Sequence, residues 1–237
     1  MSFFQNENVD CPSCGTGVQF SVVYSLNAVL RPDLRQAILD RTFQREECGN
    51  CGLAFRLEPE MTYLDAKRKI WILVRPFEDV AEWLDMEKYA ASFFESAFGP
   101  DAPGPSQALG QGMTVRVTFG WPAVREKLLC SDEGISDIEL ELLKFSLLRT
   151  LDETPLTDTT ELRLTAVGAD ALNLAWIDVN TEEPREVLTV PRGLYDEIAA
   201  DKAGWEKLRA ELSAGPFVDT RRLLVPAESA TAAAENP

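Results

Sequence analysis

The chain has 237 residues, 45% hydrophobic and 26% charged, the proportions of a globular molecule able to bury one large core or two small ones. It contains no histidine and carries a net charge of −16, which excludes nucleophile arrangements built on an imidazole base and argues against a polyanion as partner. Its longest apolar runs, such as Ile70-Trp71-Ile72-Leu73-Val74, are strand-sized and fall short of the ~20 residues that cross a bilayer.

Met1-Ser2-Phe3-Phe4-Gln5-Asn6 has neither the basic stretch nor the apolar core of a secretory signal, so a cytoplasmic location is expected. A reducing compartment keeps thiols free for metal. Charge is spread unevenly: residues 1–75 hold nine acids and nine bases, so the acid excess lies beyond them and serves solubility or attraction to a basic partner.

The first element is a knuckle, Cys11-Pro12-Ser13-Cys14-Gly15, whose glycine suits a turn that aims backbone N–H groups at a thiolate. A strand is expected over 19–26, a short helix over 32–39 with proline at its start, and a returning strand over 42–47. The second knuckle, Cys48-Gly49-Asn50-Cys51-Gly52, follows, and then two further strands, 53–57 and 69–74, read as a pair. Two such knuckles supply four soft ligands, which is what a closed tetrahedral Zn²⁺ site needs. The expected metal ligands are therefore Cys11, Cys14, Cys48 and Cys51. Iron–sulfur clusters also accept four thiolates, but they use tighter cysteine runs. A thioredoxin-like role lacks the βαβ setting it would need.

Beyond the knuckles, 79–98 reads as an amphipathic helix with Val80, Trp83, Leu84, Ala90, Phe94 and Ala97 on its core face. The Gly/Pro-rich stretch 99–112 reads as a flexible loop, and 113–119 as a strand that pairs with the knuckle-side sheet. Ser136-x-x-Glu139 has the form of a capping box opening a helix to about residue 151. Its apolar residues lie on more than one face, so it is either buried between layers or shared with a second subunit in a homodimer. A β-meander is expected over 161–167, 172–178 and 186–190, then helices over 193–200 and 202–213, a last strand or extended segment over 217–225, and a disordered tail over 227–237.

The knuckle spacing, the Tyr63-x-Asp65 turn before Lys67-Arg68-Lys69, the strand 70–76, Met113-Thr114-Val115-Arg116-Val117-Thr118-Phe119-Gly120, Arg125-Glu126-Lys127-Leu128-Leu129 and the acidic helix 137–144 together resemble the CpXC family of bacterial proteins. The resemblance covers roughly 9–150. It implies a zinc-ribbon domain without an assigned activity. The second knuckle departs from the pattern in the family's name, reading Cys-Gly-Asn-Cys where Cys-Pro-x-Cys is implied, and this affects turn rigidity more than metal binding.

The expected architecture is α+β: a zinc-ribbon segment over 1–76, a helical and β part of the same domain over 77–152, and a C-terminal meander with helices over 153–226. Four thiolates leave no open position for catalysis at the metal. Cys130 is expected to be a buried small hydrophobe, and the carboxylate pairs Asp79/Glu82, Asp137/Glu141, Asp152/Glu153 and Asp196/Glu197 to be solvated. No phosphate-cradling glycine loop is present.

The leading expectation is a non-enzymatic zinc-binding protein, its Zn²⁺ structural, that acts through contact with another protein. A nucleic-acid or ribosome-associated accessory using Lys67-Arg68-Lys69 and the ribbon hairpins is the first alternative. An enzyme working through an unrecognised thiol or carboxylate is the second.

Overall fold

The run 70–74 is apolar at every position because its strand is covered on both faces, a pattern usually found in buried sheets. In the computed structural model, which describes residues 2–151, 157 and 159–224, this run lies in the five-stranded sheet that organises the N-terminal half. The sheet is built from β1 (Phe3–Asp10), β2 (Gly17–Asn27), β5 (Met61–Asp65), β6 (Ile70–Arg75) and β7 (Thr114–Phe119), in the order β1-β2-β5-β6-β7. The pairs β1/β2 and β5/β6 are antiparallel, whereas β2/β5 and β6/β7 are parallel.

Alternation along β6 sends Ile70, Ile72 and Val74 to one face, where they meet Ile38 of α1 (Pro32–Leu39) and Trp121 and Val124 of α4 (Gly120–Glu133). Trp71 and Leu73 point to the other face and pack with Trp83 and Ala90 of α2 (Trp83–Phe98). Between these layers and the chain end, β8 (Thr160–Val167), β9 (Ala171–Asp178) and β10 (Pro184–Pro191) form an antiparallel meander. Its apolar face is covered by α5 (Asp137–Leu148), α6 (Arg192–Ala200) and α7 (Glu206–Ser213) through Leu143, Leu174, Trp176, Ile198 and Leu212.

Helix α5 finds cover within the chain itself, with Leu140, Leu142, Leu143 and Leu148 all buried. Its Ser136 Oγ accepts from the Glu139 N–H at 3.4 Å. The reciprocal half of the capping box is missing, because the Glu139 carboxylate turns to Arg209 (2.6 Å) and Lys202 (3.0 Å) instead.

Several expectations are corrected. The segment 53–57 does not pair with 69–74: β4 (Ala54–Arg56) pairs with β3 (Arg45–Glu47), while β6 lies between β5 and β7. The returning strand is three residues long rather than six, because Arg41 and Gln44 take positive φ and turn the chain before it. The helix expected over 79–98 divides into a 3-10 turn over 77–82 and α2. The loop 99–112 contains a short helix, α3 (Gly104–Gly110). No strand forms after residue 216 among the described residues; 217–220 is buried without regular structure, turning at 219–220, and α8 (Arg221–Leu224) ends the described chain. Phe217 there stacks on Trp83, ring centroids 5.3 Å apart, and its N–H donates to Glu87 Oε1 at 2.7 Å. The tail 227–237 lies outside the described residues.

The largest correction concerns charge. Asp137 and Glu141, expected at the surface, belong to an ionic cluster joining α4, α5, β8 and the 217–220 segment. Glu126 accepts from Lys144 Nζ (2.7 Å), Arg163 Nη1 (3.1 Å) and the Leu164 N–H (2.6 Å). Glu141 accepts from Lys144 (2.9 Å) and from Thr220 through both N–H (2.9 Å) and Oγ1 (2.5 Å). Arg163 also reaches Glu161 (2.5 Å) and Asp219 (2.8 Å), and Asp137 holds Arg116 (2.6 Å) and Lys127 (3.0 Å). A buried charge is tolerated when it is paired and hydrogen-bonded, and these are.

Candidate metal centre

Each knuckle closes the tip of a hairpin, Cys11 to Gly15 between β1 and β2, Cys48 to Gly52 between β3 and β4. The two turns repeat one backbone design. The first cysteine's carbonyl accepts from the glycine N–H four residues on, at 2.9 Å from Gly15 and 2.8 Å from Gly52. The first cysteine's own N–H donates one residue further, to Thr16 and Leu53 carbonyls, each at 2.9 Å. Both turns need a left-handed residue at the glycine, φ +69° and +73°, a conformation that costs other residues a steric clash at Cβ.

The hairpins are held face to face by two features. Phe20 packs on Phe55 with ring centroids 5.3 Å apart. Gln44 inserts its side-chain amide beside β2, accepting from the Val23 N–H at 3.1 Å and donating to the Ser21 carbonyl at 2.9 Å. The result brings all four predicted ligands together, their Sγ atoms within 4.8 Å of one another. Cys11–Cys51 and Cys14–Cys48 are each 3.6 Å apart.

Four sulfurs about 2.3 Å from a tetrahedral ion sit about 3.8 Å from each other, so the quartet has the size a single metal ion requires. Cys11 and Cys48 are buried, Cys14 and Cys51 exposed. Thr16 and Asn50, hydrogen-bonded to the Cys14 sulfur, lower its pKa to about 5. At Cys51 the Leu53 N–H pulls the thiol down, but desolvation and the crowd of neighbouring sulfurs outweigh it and push the value up to about 11. Four thiols this close cannot all ionise against one another, and a divalent cation removes that conflict.

The other candidates fall elsewhere. Cys130 is buried, and burial beside Glu126 raises its pKa far above the ordinary thiol value. Lys67 and Lys69 are exposed on the β5–β6 turn, but Arg68 between them is held by Asp65 (3.0 Å) and Asp132 (2.6 Å). That turn adjoins the Asn27 end of β2, since Asn27 pairs with Leu64. The knuckle adjoins the Gly17 end, about 30 Å away at ~3.3 Å per residue. Asp79 pairs with Arg75 at 2.8 Å, Asp196 and Glu197 are exposed, and Asp152/Glu153 lie outside the described residues. Thr16, Gln44 and Asn50, which shape the centre, were not anticipated from the sequence: hydroxyls and amides carry no ligand spacing of their own.

Fold and site together define a protein whose N-terminal hairpins form a four-thiolate centre able to hold a metal ion, built into the edge of a mixed sheet. The family model described as CpXC protein matches residues 9–144, more than half of the chain, and the chain belongs to the CpXC family. No curated protein and no solved structure matches it. The match covers both knuckles, the five-stranded sheet from Val9 onward, α4 and most of α5, and stops before the meander.

Proposed function

We propose that the metal is Zn²⁺ in a structural role and that the protein is non-enzymatic, acting through contact with a basic protein partner. The zinc assignment is supported by the all-thiolate donor set at tetrahedral spacing. Four protein ligands leave no place for an activated water, and no imidazole exists to serve as a base. The ion would cross-link two hairpins that bury little apolar surface of their own.

The observation that carries the contact reading is an aromatic groove of about 580 Å³ between the sheet and α2, lined by Phe3, Tyr24, Trp71, Tyr89 and Phe93. Phe3 is 56% exposed, Tyr89 51% and Phe93 41%. Grouped exposed aromatics of this kind are enriched at interfaces. The net charge of −16 selects a basic partner presenting an apolar segment, and steers its approach. For a nucleic acid, the separation of Lys67 and Lys69 from the knuckles leaves no continuous basic face.

Affinity capture with the native chain and with a Tyr89→Ser/Phe93→Ser variant tests this. The expected result is a basic protein recovered by the native chain, lost with the variant, and re-forming a stoichiometric complex from purified components. Recovery that is indifferent to the two aromatics would overturn the contact reading.

A further inference from the structure

Where the family-matched part meets the meander, the chain forms a half-open cavity of about 280 Å³. Arg41 enters from the turn after α1, Arg125, Pro122 and Leu129 from α4, and Leu164 and Ile177 from the meander. Neither part makes this cavity alone.

Positive charge here exceeds its partners. Glu182, at the turn between β9 and β10, is the acid that the surrounding arginines share. Its carboxylate takes Arg56 Nη1 at 2.7 Å and Arg125 Nη1 at 2.5 Å, and its backbone carbonyl takes Arg41 Nη1 at 3.1 Å. Two guanidiniums thus share one carboxylate, and a third is held only by the backbone carbonyl of the same residue. Arg41 has no carboxylate within ion-pair distance among the described residues, since neighbouring Asp40 is engaged by Gln36 at 2.9 Å. Arg163 also lines the cavity but is saturated on its inner side by Glu161, Glu126 and Asp219.

Buried cations of like sign are costly unless a counter-anion is present. Burial, together with the positive fields of Arg125 and Arg45, holds Arg56 down to about 10 despite Glu182. Burial and Arg41 lower Arg125 in the same direction. Arg56 Nη2 is buried without a hydrogen-bond partner, and its guanidinium stacks 4.3 Å over Trp121, which fixes it in place. In a chain of charge −16, a pocket wall where Arg41, Arg56 and Arg125 outnumber Glu182 and the nearby Glu58 asks for an anion.

We propose that this cavity binds a small organic anion, a carboxylate or phosphate headgroup held by Arg41 and Arg125 with a short apolar body against Leu129, Leu164 and Ile177. The planar guanidinium fork can pair bidentately with two oxygens of either headgroup. The apolar walls distinguish such a ligand from a free inorganic ion. The cavity of about 280 Å³ accommodates about ten non-hydrogen atoms, taking ~30 Å³ for a water-sized group, which suits a small anion. The site is independent of the metal and of the aromatic groove, and it gives the meander a role that the family-matched part lacks.

Calorimetric titration of the full-length, zinc-loaded protein with benzoate, phenyl phosphate, inorganic phosphate and benzyl alcohol tests the proposal, the first two separating carboxylate from phosphate. At least one aromatic anion should bind saturably at one per chain, tenfold or more tighter than inorganic phosphate or the neutral alcohol. Arg41→Gln should weaken it at least tenfold, and Leu129→Trp should abolish it with every charge retained. In the unmutated protein, that anion should move the guanidinium Nε–Hε resonances of Arg41 and Arg125, a readout that needs no variant to fold. No saturable binding by either aromatic anion, binding of inorganic phosphate at equal strength, or binding that leaves those resonances unmoved would each overturn it.

Discussion

The knuckle end and the charged interior of α4, α5 and β8 are held together by opposite means. In β1 and β3 nearly every residue is exposed or half-buried, and cohesion comes from two turns, one aromatic pair, Gln44 and four sulfurs. Around Glu126, apolar packing is abundant, and the fold encloses Glu126, Glu141, Lys144 and Arg163 at no more than 4% exposure each. A segment with little apolar area to bury needs a cross-link. A segment with a surplus tolerates buried charges, provided each is paired. The two regions should therefore fail separately: loss of the metal should unravel the hairpins and spare the interior, and loss of one charge should weaken the interior and spare the metal.

Cys48→Ser offers the largest break, because Cys48 is fully buried and structural zinc contributes ~10–16 kcal/mol in isolated knuckle peptides. Metal retention should be lost, with hydrogen-exchange protection disappearing over 5–20 and 44–57 while α4 and α5 stay protected. If that variant keeps its metal, or if α4 opens with the knuckles, the separation of the two regions is wrong.

Glu126→Ala attacks the other side. It strands Lys144 and Arg163 in the interior, and removing one partner of a buried pair costs about 3–5 kcal/mol. Urea unfolding should show that loss with metal content unchanged. A cost under ~1 kcal/mol would mean that the cluster is not the closed network described.

A gentler probe is pH. Burial, opposed by Lys144 and reinforced by Glu126 and Asp219, pushes Glu141 up to about 7. Its unfolded value is about 4.3, so the folded state holds this proton more tightly. The stability it contributes is present below about pH 4 and is lost as pH rises to about 7. Asp137 and Asp219, held below the usual carboxylate range against burial by Lys127 with Arg116 and by Arg163 with Lys144 respectively, act the other way, giving stability above about pH 4 that acid removes. Glu141→Gln should flatten the decline between pH 5 and 7.5, a difference on the order of 2 kcal/mol. Parallel profiles for the native chain and the variant would refute the assignment. Smallest of all, Lys67→Ala with Lys69→Ala should move stability by no more than about 0.5 kcal/mol, since both side chains are exposed.

What was legible in the sequence follows from the range of the interactions. The four-cysteine cluster was readable because each knuckle is local, two cysteines and a glycine within five residues. The meander and α1 were readable because alternation and a leading proline are local too. Strand β1 was missed because Gln5-Asn6-Glu7-Asn8 is polar on both faces, as an exposed edge strand is. The partners of β4 and β6 were misassigned because pairing is decided across distances that periodicity does not encode. The ionic cluster was hidden for a related reason. Asp137, Glu141 and Lys144 sit at the spacing of solvated helix pairs, and in β8 Glu161 and Arg163 alternate with Leu162 and Leu164 as outward residues would. That outward face is covered by α4, whose Glu126 is 37 residues from Arg163. The same covering creates the Arg41/Arg125 cavity, whose parts come from three distant segments.

On the proposed reading, a single zinc ion bound by Cys11, Cys14, Cys48 and Cys51 holds the knuckle end. Native mass spectrometry of the reduced, folded protein, read with elemental analysis, tests it most directly. One zinc per chain, released together with the hairpins' exchange protection on chelation or acidification, is the predicted result. A metal-free chain whose knuckles remain protected, or a different metal in stoichiometric amount, would contradict it.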